Sequence, residues 1–270
     1  MGTGIFLGLR SLAHHRNLTL QLAIRDLAMR YKNSVLGVLW IIGQPLLQLL
    51  LYGFVFQVVL RARWGINAGG SEVPFGLVLF VGILLHALVS ETLVRAPSLI
   101  VSNTSYVKRV IFPLEILPLV NVASSVLSTI FGLVVLLVAT WFFTGRIPLG
   151  VLFVPIPLIL LALLTLGLGW LFAALGVFVR DLGQLTNSIS TILLFTAPIC
   201  YPAEMVPEKF RFLLSVNPLS IPVECIRSLL FTGHYAGWNG LCIYALCSAA
   251  VAIIGYIVFQ RMRAGFADAL

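Results

Sequence analysis

Residues 147–179 read IPLGVLFVPIPLILLALLTLGLGWLFAALGVFV and contain no Asp, Glu, Lys or Arg. A run of about 20 mostly apolar residues is long enough to cross a bilayer as a helix. A helix is required there because the hydrocarbon core offers no partner to a free backbone N–H or C=O group. The stretch therefore predicts a transmembrane helix.

Five further stretches lack charge in the same way and can each hold one helix: residues 33–60, 73–90, 116–145, 182–203 and 228–260. No sequence repeat or low-complexity linker divides the chain. We therefore predict an all-α membrane protein with six transmembrane helices, folded as a single domain over residues 1–270. These helices are called crossings 1 to 6 in chain order.

The composition excludes most other classes of protein. Hydrophobic residues make up 60% of the chain and charged residues only 10%, whereas a soluble domain has about 25% charged residues. A secreted enzyme, a disulfide scaffold and a disordered protein are therefore excluded. The net charge of +8 predicts a cytoplasmic membrane face rather than a nucleic-acid partner. The four cysteines lack the spacing of a metal site.

The basic residues favour an orientation with both termini in the cytoplasm. Six crossings place the termini on one side, and cytoplasmic segments carry the excess of Lys and Arg. With the amino terminus inside, the inner segments hold the larger set: Arg10, Arg16, Arg25, Arg30, Lys32, Arg95, Lys108, Arg109, Arg180, Arg261 and Arg263. The outer segments hold Arg61, Arg63, Arg146, Lys209, Arg211 and Arg227. We therefore expect a multi-pass protein of the cytoplasmic (inner) membrane.

Two segments are neither crossings nor plain loops. Residues 17–32 place Leu20, Ile24, Leu27 and Tyr31 on one helical face, which predicts an amphipathic helix in the inner interface. A strand is the alternative, because apolar residues alternate up to Ile24. Residues 203–232 are rich in proline and have short apolar runs, which predicts outward-facing re-entrant helices between crossings 5 and 6.

The chain has no nucleotide-binding loop of its own. A P-loop needs Lys followed by Ser or Thr, and the three lysines, Lys32, Lys108 and Lys209, are followed by Asn, Arg and Phe. The metalloprotease and nucleophile-elbow motifs are absent too, so we predict neither catalytic residues nor a metal site. If ATP powers this protein, another polypeptide binds it.

Stretch 73–90 needs a few flanking residues to form crossing 2, and Glu91 then becomes the one acid inside a predicted crossing, near its inner end. Intramembrane carboxylates are often functional, but Arg95 follows at i+4 on the same helical face. An ion pair within the helix is the simpler interpretation, and proton coupling is the alternative. His86 is interpreted as structural.

Two stripes of polar and aromatic residues are more informative. The crossing-1 stripe consists of Gly37, Trp40, Gln44, Gln48 and Tyr52. The crossing-5 stripe consists of Gln184, Asn187, Ser188, Thr191 and Phe195. Because an amide in contact with lipid is costly, both stripes should face protein or a polar path. Hydrogen bonding between helices and a conduit for a hydroxyl-rich substrate are both open.

Four stretches resemble a known family: IRDLAMRYKNSVLGVLWIIGQPLLQLLLYGFVF at 24–56, VSNTSYVKRVIFPLEILPL at 101–119, RDLGQLTN at 180–187, and APICYPAEMVPEKFRFLLSVNPLSIPVECIRSLLFTG at 197–233. In order and position they resemble the transmembrane subunit of ABC-2 type exporters of polysaccharides and polyol phosphates. The resemblance covers nearly the whole chain.

The resemblance implies a homodimer joined to two copies of a separate ATPase, which binds ATP and Mg. Residues 17–32 would form the interface helix, and 97–107 a coupling helix on the ATPase. The residues implied for coupling are Ser98, Asn103, Tyr106, Lys108 and Arg109. The substrate path would lie at the dimer centre, lined by crossings 1 and 5, and 203–232 would cap its exit.

The resemblance also implies a cargo. We expect a lipid-linked polysaccharide on an undecaprenyl diphosphate carrier. O-antigen, as in lipopolysaccharide biosynthesis, is the favoured candidate. Teichoic acid, capsule, a drug or a small lipid are alternatives. Arg25, Arg30 and Lys32 could attract the diphosphate, or they could simply be the positive charges of the inner face. An enzyme is not expected.

Overall fold

The computed structural model describes residues 16–32, 34–59, 67–68, 71–104 and 113–269. Five helical stretches in these ranges are long and apolar enough to cross a membrane: Gly37–Phe56, Phe75–Leu99, Ile116–Thr144, Leu149–Phe178 and Trp238–Gly265. They correspond to predicted crossings 1, 2, 3, 4 and 6. The prediction of an all-α, multi-pass membrane protein is confirmed.

The helices are labelled α1 to α10 in chain order. Their bounds are α1 Arg16–Arg30, α2 Trp40–Tyr52, α3 Phe75–Leu99, α4 Ile116–Thr144, α5 Pro155–Phe178, α6 Leu182–Thr196, α7 Arg211–Val216, α8 Ser220–Arg227, α9 Trp238–Met262 and α10 Phe266–Ala269. A two-residue antiparallel pair, β1 Asn67–Ala68 with β2 Ser71–Glu72, precedes α3. The segment 17–32 is thus helical up to Arg30, as α1.

Helix α3 is the centre of the bundle. It is apolar on every side from Phe75 to Leu85, and 67% of its most apolar 18 residues are buried, against 11% for the stretch that contains α2. A helix that is hydrophobic all round belongs inside a protein, and α3 packs against α4, α5 and α6. Helix α2 packs on α4 and α3 from the outside and leaves most of its surface exposed.

Helices α5 and α9 approach each other through two glycines. A Cβ atom at Gly255 would lie 2.0 Å from the backbone oxygen of Gly167, and one at Gly167 would lie 2.5 Å from the oxygen of Val251. Only glycine fits at such distances, because real Cβ atoms essentially never approach closer than 3.0 Å. Small residues let membrane helices pack backbone to backbone in this way.

Replacing Gly255 with alanine is expected to lower stability by about 1–3 kcal/mol, because the added methyl group forces α9 away from α5. Gly240 is the matched control, since a Cβ there meets nothing within 4 Å. Thermal unfolding in detergent measures both variants. Equal unfolding midpoints for Gly255→Ala and Gly240→Ala would show that the close approach contributes nothing.

Crossing 5 is the main departure from the predicted boundaries. The expected stretch was 182–203, but α6 ends at Thr196 and has 15 residues, about 22 Å at 1.5 Å per residue. The chain continues without helix beside α3, where the side chain of Ile199 lies next to Gly82. The helix stops there because Pro198 follows and disfavours helix at the residue before it.

The path of crossing 5 nevertheless follows most of α3. Gly183 shares a cavity with Ser98, and the backbone oxygen of Ser190 lies 2.9 Å from His86 Nε2. Ile199 then lies next to Gly82, so this segment runs antiparallel to α3. A 15-residue helix followed by a short turn therefore takes the place of one long helix.

Residues 208–232 form a bent pair of helical segments. Glu208–Val216 and Ser220–Thr232 meet at 88°, so the region is either a broken span or a re-entrant loop. Asn217 holds the bend: its Nδ2 donates to Leu193 O at 2.9 Å, and its Oδ1 accepts from Leu219 N at 2.8 Å. A bent pair agrees with the helices expected in 203–232, whose re-entrant placement stays a prediction.

Candidate functional site

The crossing-5 stripe faces away from its own bundle. All five of its residues, Gln184, Asn187, Ser188, Thr191 and Phe195, are exposed. The buried face of α6 carries Thr186 and Ser190 instead, and Ser190 Oγ donates to Ser90 Oγ of α3 at 2.6 Å. Contacts within the described part of the chain therefore do not account for the polar stripe.

Hydrogen bonds within α6 use part of this polar surface. Asn187 Nδ2 donates to Gly183 O at 2.9 Å, Thr191 Oγ1 donates to Asn187 O at 3.1 Å, and Ser188 Oγ bonds back one turn in the same way. These bonds occupy donors, so the lone pairs of the hydroxyls and the amide oxygen remain available. Within the described part of the chain, the Gln184 amide has no partner.

The crossing-1 stripe is partly covered. Gln44 is exposed and accepts a hydrogen bond from Tyr31 Oη at 3.1 Å, whereas Trp40, Gln48 and Tyr52 are half-buried. Both glutamines border a small cavity of about 40 Å³ that also touches Glu91, Ser125 and Ser128. This stripe therefore faces a polar region between α2, α3 and α4.

The two stripes do not face each other within one protomer. The main neighbours of α2 are α4 and α3, whereas those of α6 are α3 and α5. The central helix α3 thus separates the helices that were expected to line one path. The described contacts therefore form no single path bounded by both stripes.

Glu91 does not form the predicted ion pair with Arg95. Its Oε2 accepts from Arg30 Nη1 of α1 at 2.6 Å, while Arg95 Nη1 donates to Asp26 Oδ2 at 3.0 Å. The prediction was wrong because spacing within one helix gives no information about a charge brought by another. Each member of the i,i+4 pair has its partner on α1.

Ser124 of α4 completes this group. Its Oγ donates to Asp26 Oδ2 at 2.8 Å and accepts from Arg30 Nη2 at 2.9 Å. Asp26, Arg30, Glu91, Arg95 and Ser124 are called the α1 network. It joins α1 to α3 and α4 at the end of the bundle that holds α1, which is called the α1 end.

The Asp26 carboxylate is charged at neutral pH. Burial by itself would raise its pKa, but the hydrogen bond from Ser124 and the charges of Arg95 and Arg30 outweigh burial and hold the pKa below its ordinary value of 3.8. A carboxylate with a lowered pKa stabilises the fold at every pH above its ordinary pKa. This contribution to stability is lost as the pH falls through the lowered pKa of the folded state. The network should therefore persist throughout the neutral range.

The three basic residues expected at lipid headgroups differ in their surroundings. Arg25 and Lys32 are exposed, whereas the side chain of Arg30 is only 17% exposed and is engaged by the α1 network. Of the predicted apolar face of α1, Leu27 is buried against the protein, and Leu20 and Ile24 stay exposed. The helix therefore keeps apolar and basic surface open.

The first residues of the expected coupling segment, 97–107, are continuous with α3. Ser98 belongs to the last turn of α3, where its Oγ donates to Arg95 O at 3.1 Å. Asn103 lies in the 3₁₀ turn Val101–Asn103 and donates to Leu99 O at 2.8 Å. The first part of 97–107 is therefore continuous with α3. Tyr106, Lys108 and Arg109 lie outside the described residues.

Sequence reasoning missed two important groups. Asp26 was not singled out, because its partners are distant in sequence. Arg227 was counted only as an outer charge, yet it is buried and its guanidinium donates to the backbone oxygens of Val78, Pro198 and Ile199. A lone arginine among the apolar residues of α8 was the available signal.

Comparison with known proteins identifies the family. The family model described as "ABC-2 type transporter" matches residues 17–231. An O-antigen export system permease protein RfbA of Klebsiella pneumoniae is 27% identical over 91% of this chain and 92% of its own length. The RfbA of Myxococcus xanthus is 25% identical, over 97% and 98%. The polysialic acid transport protein KpsM of Escherichia coli is 23% identical, over 88% and 91%. The chain therefore belongs to the ABC-2 type transporter family, and within that family it matches polysaccharide export permeases.

Proposed function

We propose that this chain is the transmembrane subunit of an ATP-driven exporter that moves a lipid-linked polysaccharide across the cytoplasmic membrane, with O-antigen as the favoured cargo. It acts as a homodimer with two copies of a separate ATPase, and the cargo is carried on undecaprenyl diphosphate. The exposed crossing-5 stripe supports this proposal most strongly. The named functions of the O-antigen and polysialic acid relatives agree with it.

The stripe argues for a hydroxyl-rich cargo because of what its exposure implies. A polar group taken into an apolar medium without a partner costs about 1–3 kcal/mol in proteins. Four polar side chains on the open face of α6 would not be stable against lipid tails, so a second subunit, water or cargo covers them. Sugar hydroxyls are suitable partners for amides and hydroxyl oxygens, and the ring of Phe195 can stack on the apolar face of a sugar.

The α1 network suggests how the ATPase would act on the path. A partner that pushes on α1 would move α3 and α4 with it, because Arg30 and Asp26 connect the three helices. Helix α3 contacts both α2 and α6, the two helices that carry the stripes. Movement of α1 would thus reach both walls of the path.

Replacing Asn187 and Thr191 together with leucine tests the lining role. We expect surface polysaccharide to fall about tenfold, as the loss of one or two hydrogen bonds of about 1 kcal/mol each would give. Dimer formation and basal ATP turnover should be retained. Ile192→Ala is the control, because Ile192 is exposed on the same helix but outside the stripe. Full export by the leucine variant, or loss of the dimer, would count against a lining role.

Export of a drug or small lipid is the second candidate, and one observation favours it. A groove of about 740 Å³ between α2 and α4 is lined almost wholly by apolar side chains, among them Leu46, Leu50, Phe54, Val138 and Phe142. Such a groove accepts an acyl chain or a hydrophobic drug. Deletion of the gene distinguishes the two cargoes, since loss of surface glycan supports the first and drug sensitivity alone supports the second.

A further inference from the structure

A second, more polar cavity lies at the α1 end of the bundle. It has a volume of about 490 Å³ and lies between the last turns of α3, the end of α5 and the first turns of α6. Ser98, Arg180, Gln184 and Asn187 contribute its polar groups, and it is called the Arg180 cavity. Its floor is closed by Gly176, whose Cβ would collide with the backbone of Pro97, so α3 and α5 are in direct contact there.

Two of these groups have hydrogen-bonding capacity to spare. Arg180 is exposed, and among the described residues no carboxylate or carbonyl engages its guanidinium. The Gln184 side-chain amide likewise has no hydrogen-bond partner among the described residues. Ser98 and Asn187 donate to Arg95 O and Gly183 O, which leaves their oxygens as acceptors. Within the described lining, Arg180 is the one charged side chain, because the neighbouring Asp181 lies outside it.

This combination suits a phosphate. A guanidinium presents several N–H donors in a planar fork that matches two phosphate oxygens, and the hydrogen bonds are strengthened by charge. The amide of Gln184 adds donors beside it, and the acceptor oxygens of Ser98 and Asn187 can bind neighbouring hydroxyls. A carboxylate that would repel an anion is missing from the described lining.

The cavity also lies where the path would begin. Gln184 and Asn187 belong both to the Arg180 cavity and to the crossing-5 stripe. Arg25 and Arg30, expected earlier to attract the diphosphate, lie on α1, and Arg30 is engaged by Glu91. An anion held by Arg180 would therefore be placed at the first turn of the stripe.

We propose that the Arg180 cavity binds the phosphate group of a membrane lipid, with Arg180 and Gln184 as donors. The lipid is either the diphosphate carrier of the cargo or an ordinary anionic phospholipid, since both present this chemistry at the membrane surface. The role as the loading site of the cargo rests on the proposed function. Binding itself does not.

Gly183 allows the cavity to be filled without disturbing the fold. It lies in the first turn of α6, lines the cavity and has no atom within 4 Å of its ideal Cβ position. A leucine there would project into open space. Gly183→Leu should therefore block the site while the unfolding midpoint stays unchanged.

The test measures lipid binding to the purified full chain with its ATPase in nanodiscs. One arm titrates undecaprenyl diphosphate into phosphatidylcholine discs, and the other titrates phosphatidylglycerol into the same discs. Arg180→Gln and Gly183→Leu should each weaken binding about tenfold, and Arg180→Lys should weaken it less. Arg146→Gln, at an exposed arginine of the opposite end, is the control and should change nothing.

The two arms identify the lipid. Loss confined to undecaprenyl diphosphate supports a cargo-loading site, and loss confined to phosphatidylglycerol supports a phospholipid site. If Arg180→Gln and Gly183→Leu bind both lipids as Arg146→Gln does, the proposal is overturned. A normal surface glycan after deletion of the gene would refute the proposed function and leave this binding result untouched.

Discussion

Replacing Arg227 with methionine is expected to give a chain that no longer holds its fold in detergent. The buried guanidinium donates from Nε to Val78 O at 2.8 Å, from Nη1 to Pro198 O at 2.5 Å and from Nη2 to Ile199 O at 2.8 Å. Methionine fills similar space but supplies none of these donors. Val78 O keeps its bond within the helix, but Pro198 O and Ile199 O would be left without a donor at about 1–3 kcal/mol each, which gives a total of about 2–6 kcal/mol.

The position of those oxygens explains why the effect should be large. Pro198 and Ile199 follow the end of α6, where the backbone leaves the helix and their oxygens have no donor within a helix. Non-helical backbone at membrane depth is tolerated only where protein or water supplies its hydrogen bonds. Arg227 supplies them, and through Val78 it also ties α8 to α3.

Thermal unfolding and the yield of monodisperse protein measure this prediction. Arg227→Lys should fall between wild type and Arg227→Met, because one ammonium group cannot reach three divergent carbonyls as well as a guanidinium does. Arg211→Met is the control, since Arg211 is exposed and donates to a single carbonyl, that of Val206. An Arg227→Met chain as stable as Arg211→Met would contradict the assigned role.

Replacing Arg30 with methionine is expected to detach α1 from the bundle. Glu91 would lose the cation that lies 2.6 Å from its Oε2, whereas Asp26 would lose Arg30 at 3.5 Å but keep Arg95 at 3.0 Å. Breaking a buried pair by removing one partner costs about 3–5 kcal/mol. The Glu91 side chain is 37% exposed, so solvent screens part of this, and about 2 kcal/mol is expected. Surface glycan should fall even under conditions where the variant stays folded, because in the proposed mechanism α1 would no longer move α3 and α4.

Exchange of the two charges separates pairing from packing. Arg30→Glu combined with Glu91→Arg should recover part of the stability that either single change removes, although Asp26 will then face a new neighbouring acid. Hydrogen exchange of α1 amides and surface glycan are the measurements. Arg25→Met, an exposed change on the same helix, should leave α1 protected. Equal protection in Arg30→Met and Arg25→Met would refute the docking role.

The membrane-spanning architecture could be predicted well from sequence because lipid leaves few choices. The charge-free stretch 116–145 became a helix at Ile116–Thr144, and 147–179 became the span Leu149–Phe178. Both boundaries coincide with the nearest charged residues, which mark where a chain leaves the hydrocarbon. Local composition alone decides such limits.

Features that depend on tertiary neighbours could not be predicted in the same way. Spacing predicted a Glu91–Arg95 pair, but α1 supplied a closer cation in Arg30. Likewise, Pro198 ends α6 locally, but the apolar composition of 182–203 does not show that the non-helical residues after Thr196 can stay buried, which depends on Arg227. In both cases a hydrogen-bond partner far away in sequence supplies what local composition cannot show.

The two polar stripes could be predicted only in part from the sequence. Helical periodicity correctly grouped the polar residues of crossing 5 on one face, and the structure leaves that face exposed. Periodicity could not show that α3 separates it from the crossing-1 stripe within one protomer. The position of a face on its helix follows from sequence, whereas its partner follows from packing and assembly.

The most direct test of the proposed function uses proteoliposomes that contain this chain with or without its partner ATPase. We expect lipid-linked polysaccharide to cross the bilayer only when both proteins and ATP are present, and this chain alone to hydrolyse no ATP. Transport by the chain without the ATPase, or no transport of the polysaccharide by the complete complex, would contradict the account.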